Sequence, residues 1–249
     1  MALHELSGLA RSLWIYHGNP LRSRAHRCFY GDFIRPGDLC FDVGAHVGNH
    51  VRTLVGLGAR VVAVEPQPRF QSLLQRFYGK SRDVVLVDQA VGAAPGEAEL
   101  YVSSRFPTVT TLSRDWISAV GRAASFSSVS WDSKVTVGVT TLDSLIAAHG
   151  LPAYCKIDVE GFEHEVLKGL SSAIPRLSIE YIPAALPVAH ACIDRLTELG
   201  DYEFNVSIGE QMRFELPQWG DAAALHAWLD RRDIDDNSGD VYARLRTAA

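Results

Sequence analysis

The segment Leu39 to Gln67, LCFDVGAHVGNHVRTLVGLGARVVAVEPQ, leaves the chain few architectures to choose from. An apolar run, Leu39 to Val43, carries Asp42 near its carboxyl end. Gly44, Ala45 and Gly48 make a small-residue turn, and the pattern predicts a helix opening at about Val47. A second apolar run, Arg60 to Val64, ends at Glu65. Strand, tight turn, helix, strand and terminal acid together make half of a doubly wound α/β nucleotide site. Small residues let a ligand approach the backbone, and the helix start presents free N–H donors. Glu65 follows Gly44 by 21 residues, close to the ~20-residue spacing at which an acid meets ribose hydroxyls.

The turn reads GAHVG, so His46 stands where a GxGxxG pyrophosphate fingerprint requires its second glycine. An adenosine ligand without phosphates, with a cationic centre near Asp42, suits this spacing better. S-adenosylmethionine is such a ligand. On this motif alone, a nicotinamide or flavin nucleotide and a turn needed only for sterics stay open.

With 249 residues, one large α/β domain is expected. Hydrophobic residues make up 47%, enough for a buried core. Lys and Arg number 24 against 29 Asp and Glu, and no basic block stands out, which disfavours a nucleic-acid partner. Cys28, Cys40, Cys155 and Cys192 lie far apart with no CxxC, so neither zinc nor a disulfide framework is suggested. No segment approaches the ~20 apolar residues of a membrane span, and the first twenty residues lack the apolar run of a secretion signal. A soluble, cytoplasmic protein is the expectation.

Residues 1–36 read as an N-terminal helical extension, with Leu3, Leu6, Leu9, Leu13, Trp14 and His17 on one helical face. Residues 37–249 read as the main domain. Its elements alternate: a helix from Arg69 to Tyr78, strands at Asp83–Val87 and Tyr154–Asp158, a helix at Phe162–Leu170, and a strand at Leu177–Tyr181. A helix from Pro187 to Leu199 follows, then strands at Tyr202–Ile208 and Asp240–Leu245 around a helix at Ala222–Arg231. This alternation implies a mainly parallel sheet with helices on both faces. The 209–239 excursion leaves room for the last strand to insert antiparallel. Gly96–Val102 and Lys134–Val139 alternate in strand fashion and are expected to pair. Between them, 103–133 reads as a serine-rich loop insertion, either a mobile cover over a cleft or a solvated loop.

FDVGAHVGN, VEPQP, TLDSL, KIDVEGFEHEVLKGL, IEY and the terminal GDVYAR resemble the FkbM family of S-adenosylmethionine-dependent methyltransferases, from about Gly37 to Arg244. The block from Lys156 to Gly169 is the most specific part. The resemblance implies the class I methyltransferase Rossmann-like fold. That fold has a seven-stranded, mainly parallel sheet of order 3-2-1-4-5-7-6, with the seventh strand antiparallel. It also implies O-methylation of a hydroxyl on a small metabolite, sugar or natural product. His46, His50 and His164 depart from the family pattern.

Under that resemblance Gly44, Ala45 and Gly48 form the cofactor turn, and Asp42 faces the amino-acid half of the donor or caps the following helix. Glu65 accepts from the ribose hydroxyls, and Asp88, Gln89 and Ala90 lie where adenine is held. Asp158 and Glu160 at the fourth strand tip, and Glu180 at the fifth, are the expected catalytic acids, since ligands sit beyond the carboxyl ends of such strands. They suit a general base or an oxygen-rich magnesium site. Lys156, deeper in the strand, is expected to pair with a carboxylate, and His164 to be a surface residue. The implied partner is a small hydroxylated acceptor. The competing readings are a non-catalytic S-adenosylmethionine-binding protein and a nicotinamide oxidoreductase; the missing GxGxxG and the absent Tyr-x-x-x-Lys pair oppose the latter.

Overall fold

The computed structural model describes residues 20–246. The expected amphipathic stretch at 3–17 lies outside them. The first helix described, α1 (Pro20–Gly31), precedes β1 (Leu39–Val43), α2 (Asn49–Gly56), β2 (Arg60–Val64), α3 (Pro68–Tyr78) and β3 (Val84–Val87). Three strands follow, β4 (Ala90–Val91), β5 (Gly96–Val102) and β6 (Ser133–Thr140), with α4 (Arg114–Val120) between the last two. The chain then alternates through α5 (Leu142–His149), β7 (Tyr154–Ile157), α6 (Glu163–Lys168), β8 (Arg176–Tyr181) and α7 (Leu186–Leu199). It ends with β9 (Tyr202–Ile208), α8 (Ala222–Leu229) and β10 (Gly239–Leu245).

The main sheet has seven strands in the order β3-β2-β1-β7-β8-β10-β9. Numbered over all ten strands this is not 3-2-1-4-5-7-6, because β4, β5 and β6 leave the main sheet and form a three-stranded sheet of their own. The main sheet is mixed: β10 runs antiparallel to both β8 and β9, whereas β1 pairs in parallel with β2 and β7. β5 and β6 pair antiparallel, as their alternation predicts.

Strand periodicity assigns each face. Phe41 and Val43 pack with Ile157, Val166, Leu167 and Ile193 on one side. Cys40 packs with Tyr30, Leu54, Tyr154 and Tyr242 on the other. Both faces are dry, which is why these strands read as continuous apolar runs rather than alternating ones. Phe29, Tyr30 and Ile34 belong to the second face, so residues from α1 onward are part of the packed body. The antiparallel β8–β10 ladder sets Asp240 opposite Glu180, and the β1–β7 ladder sets Asp42 beside Lys156. Charged residues thus converge at the carboxyl ends of β1, β7 and β8.

The 103–133 segment is not the structureless loop expected from its serines. It holds a 3-10 turn at Pro107–Val109, helix α4, and a second 3-10 turn at Ala124–Phe126. Ser113 caps α4 by accepting from the Trp116 amide, a signal present in the sequence. Trp116 is 2% exposed and packs edge-to-face against Phe126 and Trp131. Trp116, Phe126 and Trp131 form a small core with Ile182, Ala185 and Val188.

Candidate active site

The β1–α2 turn is built around a glycine that nothing else can replace. Gly44 has φ +89°, and a Cβ there would lie 1.8 Å from the Asp158 carbonyl oxygen. The close approach of β1 and β7 therefore depends on this position. Gly44 and Ala45 donate to the Val64 carbonyl at 2.9 and 3.0 Å, locking the turn to the tip of β2. His46 takes φ +48°, and its amide donates to Glu65 Oε2 at 2.8 Å. The Gln67 amide donates to Glu65 Oε1, also at 2.8 Å. Two backbone donors thus aim the Glu65 carboxylate, and each oxygen keeps accepting capacity for a ligand. Burial raises the Glu65 carboxyl to about 7, against the pull of those two amides. Burial lowers the His46 imidazole to about 4, so it is neutral at physiological pH.

These groups line one end of a cavity of about 380 Å³, a volume typical of small-molecule sites. Gly44, Ala45, His46 and Glu65 meet Gln89 and Ala90 on that wall. Pro107, Thr108 and Thr110 to Leu112 of the 103–133 segment close one side. Gln67 Nε2 donates to Thr110 Oγ1 at 2.9 Å, tying that side to the β2 tip. Asn49, at the start of α2, also lines the cavity, and its buried Nδ2 has no protein partner.

Asp158, Glu160 and Glu180 line the other end. One oxygen from each lies within 4.8 Å of the others. Burial is the main cause that raises both the Glu160 and Glu180 carboxyls well above the usual range, and the charge of Asp158 adds to it. Glu180 Oε2 is buried without a hydrogen-bond partner. Lys156 bridges Asp158 at 2.9 Å and Asp240 at 3.2 Å, pairing with carboxylates as a buried lysine must.

The turn that carries Asp158 and Glu160 is held by neighbouring side chains. Glu160 sits at φ +56°, an unusual conformation for a residue with a side chain. Glu163, 1% exposed at the start of α6, reaches back so that Oε1 accepts from the Val159 and Gly161 amides at 3.0 and 3.1 Å. Thr111 Oγ1 donates to the Glu160 carbonyl at 2.6 Å. Trp116 covers Gly161 so closely that a Cβ there would come within 2.0 Å of the indole. The sequence reading missed Glu163, Thr111, Trp116 and Asp240. An acid two residues after a glycine at a helix start was a usable signal for Glu163, as was a lone acid opening an apolar strand for Asp240. Thr111 carried none.

Three of the expected cofactor residues are placed differently. Asp42 is 1% exposed and is not on the cavity wall, because α2 covers that side of β1. Burial raises its carboxyl to about 7, offset in part by Lys156 and the Val51 amide. It lies near the Val51 amide of α2, off the cavity wall. Gly48 is also off the wall; its φ of +80° and its contacts with Leu74 and Tyr78 make it a packing glycine between α2 and α3. Asp88 is exposed, and only its neighbours Gln89 and Ala90 reach the cavity. His164 does not line it either. No helix among the described residues is long and apolar enough to cross a membrane.

The family described as the methyltransferase FkbM domain matches residues 42–221. The 31-O-demethyl-FK506 methyltransferase FkbM of Streptomyces tacrolimicus is 28% identical over an alignment of 172 residues that covers 59% of this chain. The chain spans 65% of that relative's length. Among solved structures, precorrin-6y C5,15-methyltransferase from Geobacter metallireducens GS-15 is similar at a TM-score of 0.48 and 10% identity, over 89% of this chain and 87% of its own. A SAM-dependent O-methyltransferase from Thermotoga maritima gives 0.40 and 12%, over 92% and 67%. These two structural likenesses are distant, and the assignment rests on the sequence match across most of the chain. The chain belongs to the FkbM methyltransferase domain family.

Proposed function

We propose that the chain is an S-adenosylmethionine-dependent methyltransferase that transfers a methyl group to a hydroxyl of a small metabolite, sugar or natural product. One observation carries the reading: a single cavity joins the Gly44–Glu65 end to the Asp158, Glu160 and Glu180 end. The residues present suit the donor. Glu65 offers two fixed oxygens to a vicinal diol, the orphaned Asn49 amide is free to donate, and only a glycine fits at the turn. When bound, S-adenosylmethionine supplies a methyl group already activated on a cationic sulfur.

The chain's own residues supply position and a proton acceptor. Glu65 holds the ribose end, and Gln89 with Ala90 borders the base. Asp158, anchored by Lys156, orients the acceptor hydroxyl. One of Glu160 and Glu180, in its ionised form and with its proton affinity raised by burial, takes the proton that a hydroxyl must lose as it attacks. Fixing both reactants in one cavity supplies much of the rate, since orientation is worth about 7–11 kcal/mol of barrier. The spacing of the three carboxylates also favours a second reading, in which Asp158, Glu160 and Glu180 would hold a magnesium ion and the ion would supply Lewis-acid activation of the hydroxyl.

The test is release of S-adenosylhomocysteine in the presence of hydroxylated acceptors. Glu180→Gln and Glu160→Gln are expected to lower kcat by about 10²–10⁴-fold with little change in donor affinity. Activity abolished by a chelator and restored by magnesium supports the metal reading. Unchanged kcat in both variants removes the acids from the chemistry.

A further inference from the structure

Acids supply most of the charged groups on the cavity wall. Beside Asp158, Glu160 and Glu180, the wall carries Glu210 from the turn after β9 and Asp240 from β10. Among the described residues that line the cavity there is no arginine, and Lys156 is the single lysine. Its side chain is 3% exposed and is already engaged by Asp158 and Asp240. Its charge is already matched by two carboxylates. The lining imidazole of His46 is neutral at physiological pH. Glu210 lies 2.9 Å from Nε2 of the buried His26.

We infer, building on the methyltransferase reading, that the acceptor carries no phosphate, sulfate or carboxylate: it is a neutral or amine-bearing hydroxyl compound. A phosphate ester in this cavity would meet the carboxyl groups of Asp158, Glu160, Glu180, Glu210 and Asp240, with no guanidinium and only the doubly paired Lys156 ammonium among the described lining residues. Like charges brought together without solvent are rejected strongly, by roughly a hundredfold or more in specificity. Hydroxyls and ammonium groups, by contrast, donate to carboxylates, and Glu180 Oε2 lies buried without a protein donor. Nucleotide-linked sugars, sugar phosphates and uronates are excluded on this basis. Unphosphorylated polyols and aminosugars, and neutral hydroxylated natural products, are admitted.

The experiment separates this inference from the reading beneath it. Calorimetry with S-adenosylhomocysteine first tests the donor site. The protein is then incubated with a methyl-deuterated donor and a solvent-quenched small-molecule extract of the native host. Products bearing the deuterium mass label are sorted on a strong anion exchanger near neutral pH. The expected result is labelled product in the unretained fraction. Labelled product retained until salt elution, with donor binding intact, overturns the inference and leaves the methyltransferase reading standing. Donor binding with no labelled product in any fraction, or no donor binding at all, overturns the methyltransferase reading and this inference together.

Discussion

Glu163 never touches the cavity, yet the acids at its end depend on it. Glu163→Ala removes the oxygen that accepts from the Val159 and Gly161 amides. Each buried donor left without a partner costs about 1–3 kcal/mol, so the two together predict a loss of about 2–6 kcal/mol. For a chain of this size each kcal/mol moves the thermal midpoint by about 2–4 °C; a fall of roughly 5–20 °C follows. Glu163→Gln keeps a carbonyl oxygen in the same place and should stay within about 1 kcal/mol of the parent at pH 5.5. The two variants part further with pH. Burial raises the Glu163 carboxyl to about 7 from an ordinary 4.5. Between those values the folded state holds a proton that the unfolded state has released. Stability from this group is therefore full below about 4.5 and is lost as pH rises towards 7, by on the order of 3 kcal/mol. Glutamine cannot ionise and escapes that loss, so at pH 8.5 Glu163→Gln should be at least as stable as the parent. Chemical denaturation at both pH values measures this, and kcat is read alongside. A turn released by Glu163→Ala shifts Asp158 and Glu160, and a displacement of about 1 Å costs about 10²-fold in rate. Equal stability of the alanine and glutamine variants would refute the reasoning, as would an alanine variant with normal kcat.

Three further outcomes are expected. Glu65→Ala should weaken S-adenosylhomocysteine binding at least about ten-fold, since charge-assisted hydrogen bonds are worth about 1.5–3 kcal/mol; an unchanged dissociation constant by calorimetry removes Glu65 from the ribose. Because the free Glu65 carboxyl sits at about 7 and the bound form favours the carboxylate, donor binding near pH 6.5 should release a proton. Calorimetry in buffers of differing ionisation enthalpy detects it, and proton uptake contradicts it. Gly44→Ala forces a Cβ to within 1.8 Å of the Asp158 carbonyl in a left-handed conformation. Strain and overpacking together should destabilise by about 2–5 kcal/mol and abolish turnover, whereas a folded, active Gly44→Ala protein shows that β1 and β7 do not meet at this glycine.

The sequence displayed what is local and hid what is distant. Gly44 and Glu65 were legible because turn, helix and strand tip lie within one contiguous stretch whose spacing is itself the signal. The tip acids Asp158, Glu160 and Glu180 followed from strand ends, since open parallel sheets gather ligands there. Asp42 shows the limit. Period-two alternation gives the face of the sheet that a residue occupies, but not whether a helix covers that face, and α2 does. Gly48 and Asp88 lie off the cavity wall: one residue along a turn separates a wall position from a packing or solvent position. The sequence composition of 103–133 suggested a loose loop, whereas Trp116 finds Gly161, and Thr111 finds the Glu160 carbonyl, across 45 and 49 residues of chain. Contacts of that separation have no periodicity to betray them. The antiparallel placement of β10 was anticipated from the length of the 209–239 excursion, but its effect on the site, bringing Asp240 to Lys156, was not.

A structure of the protein crystallised with S-adenosylhomocysteine tests the central claim most directly. The account predicts the ribose hydroxyls within hydrogen-bond distance of Glu65, the adenine beside Gln89 and Ala90, and the sulfur facing Asp158, Glu160 and Glu180. A nucleoside bound elsewhere, or bound with its sulfur turned away from those three acids, contradicts it.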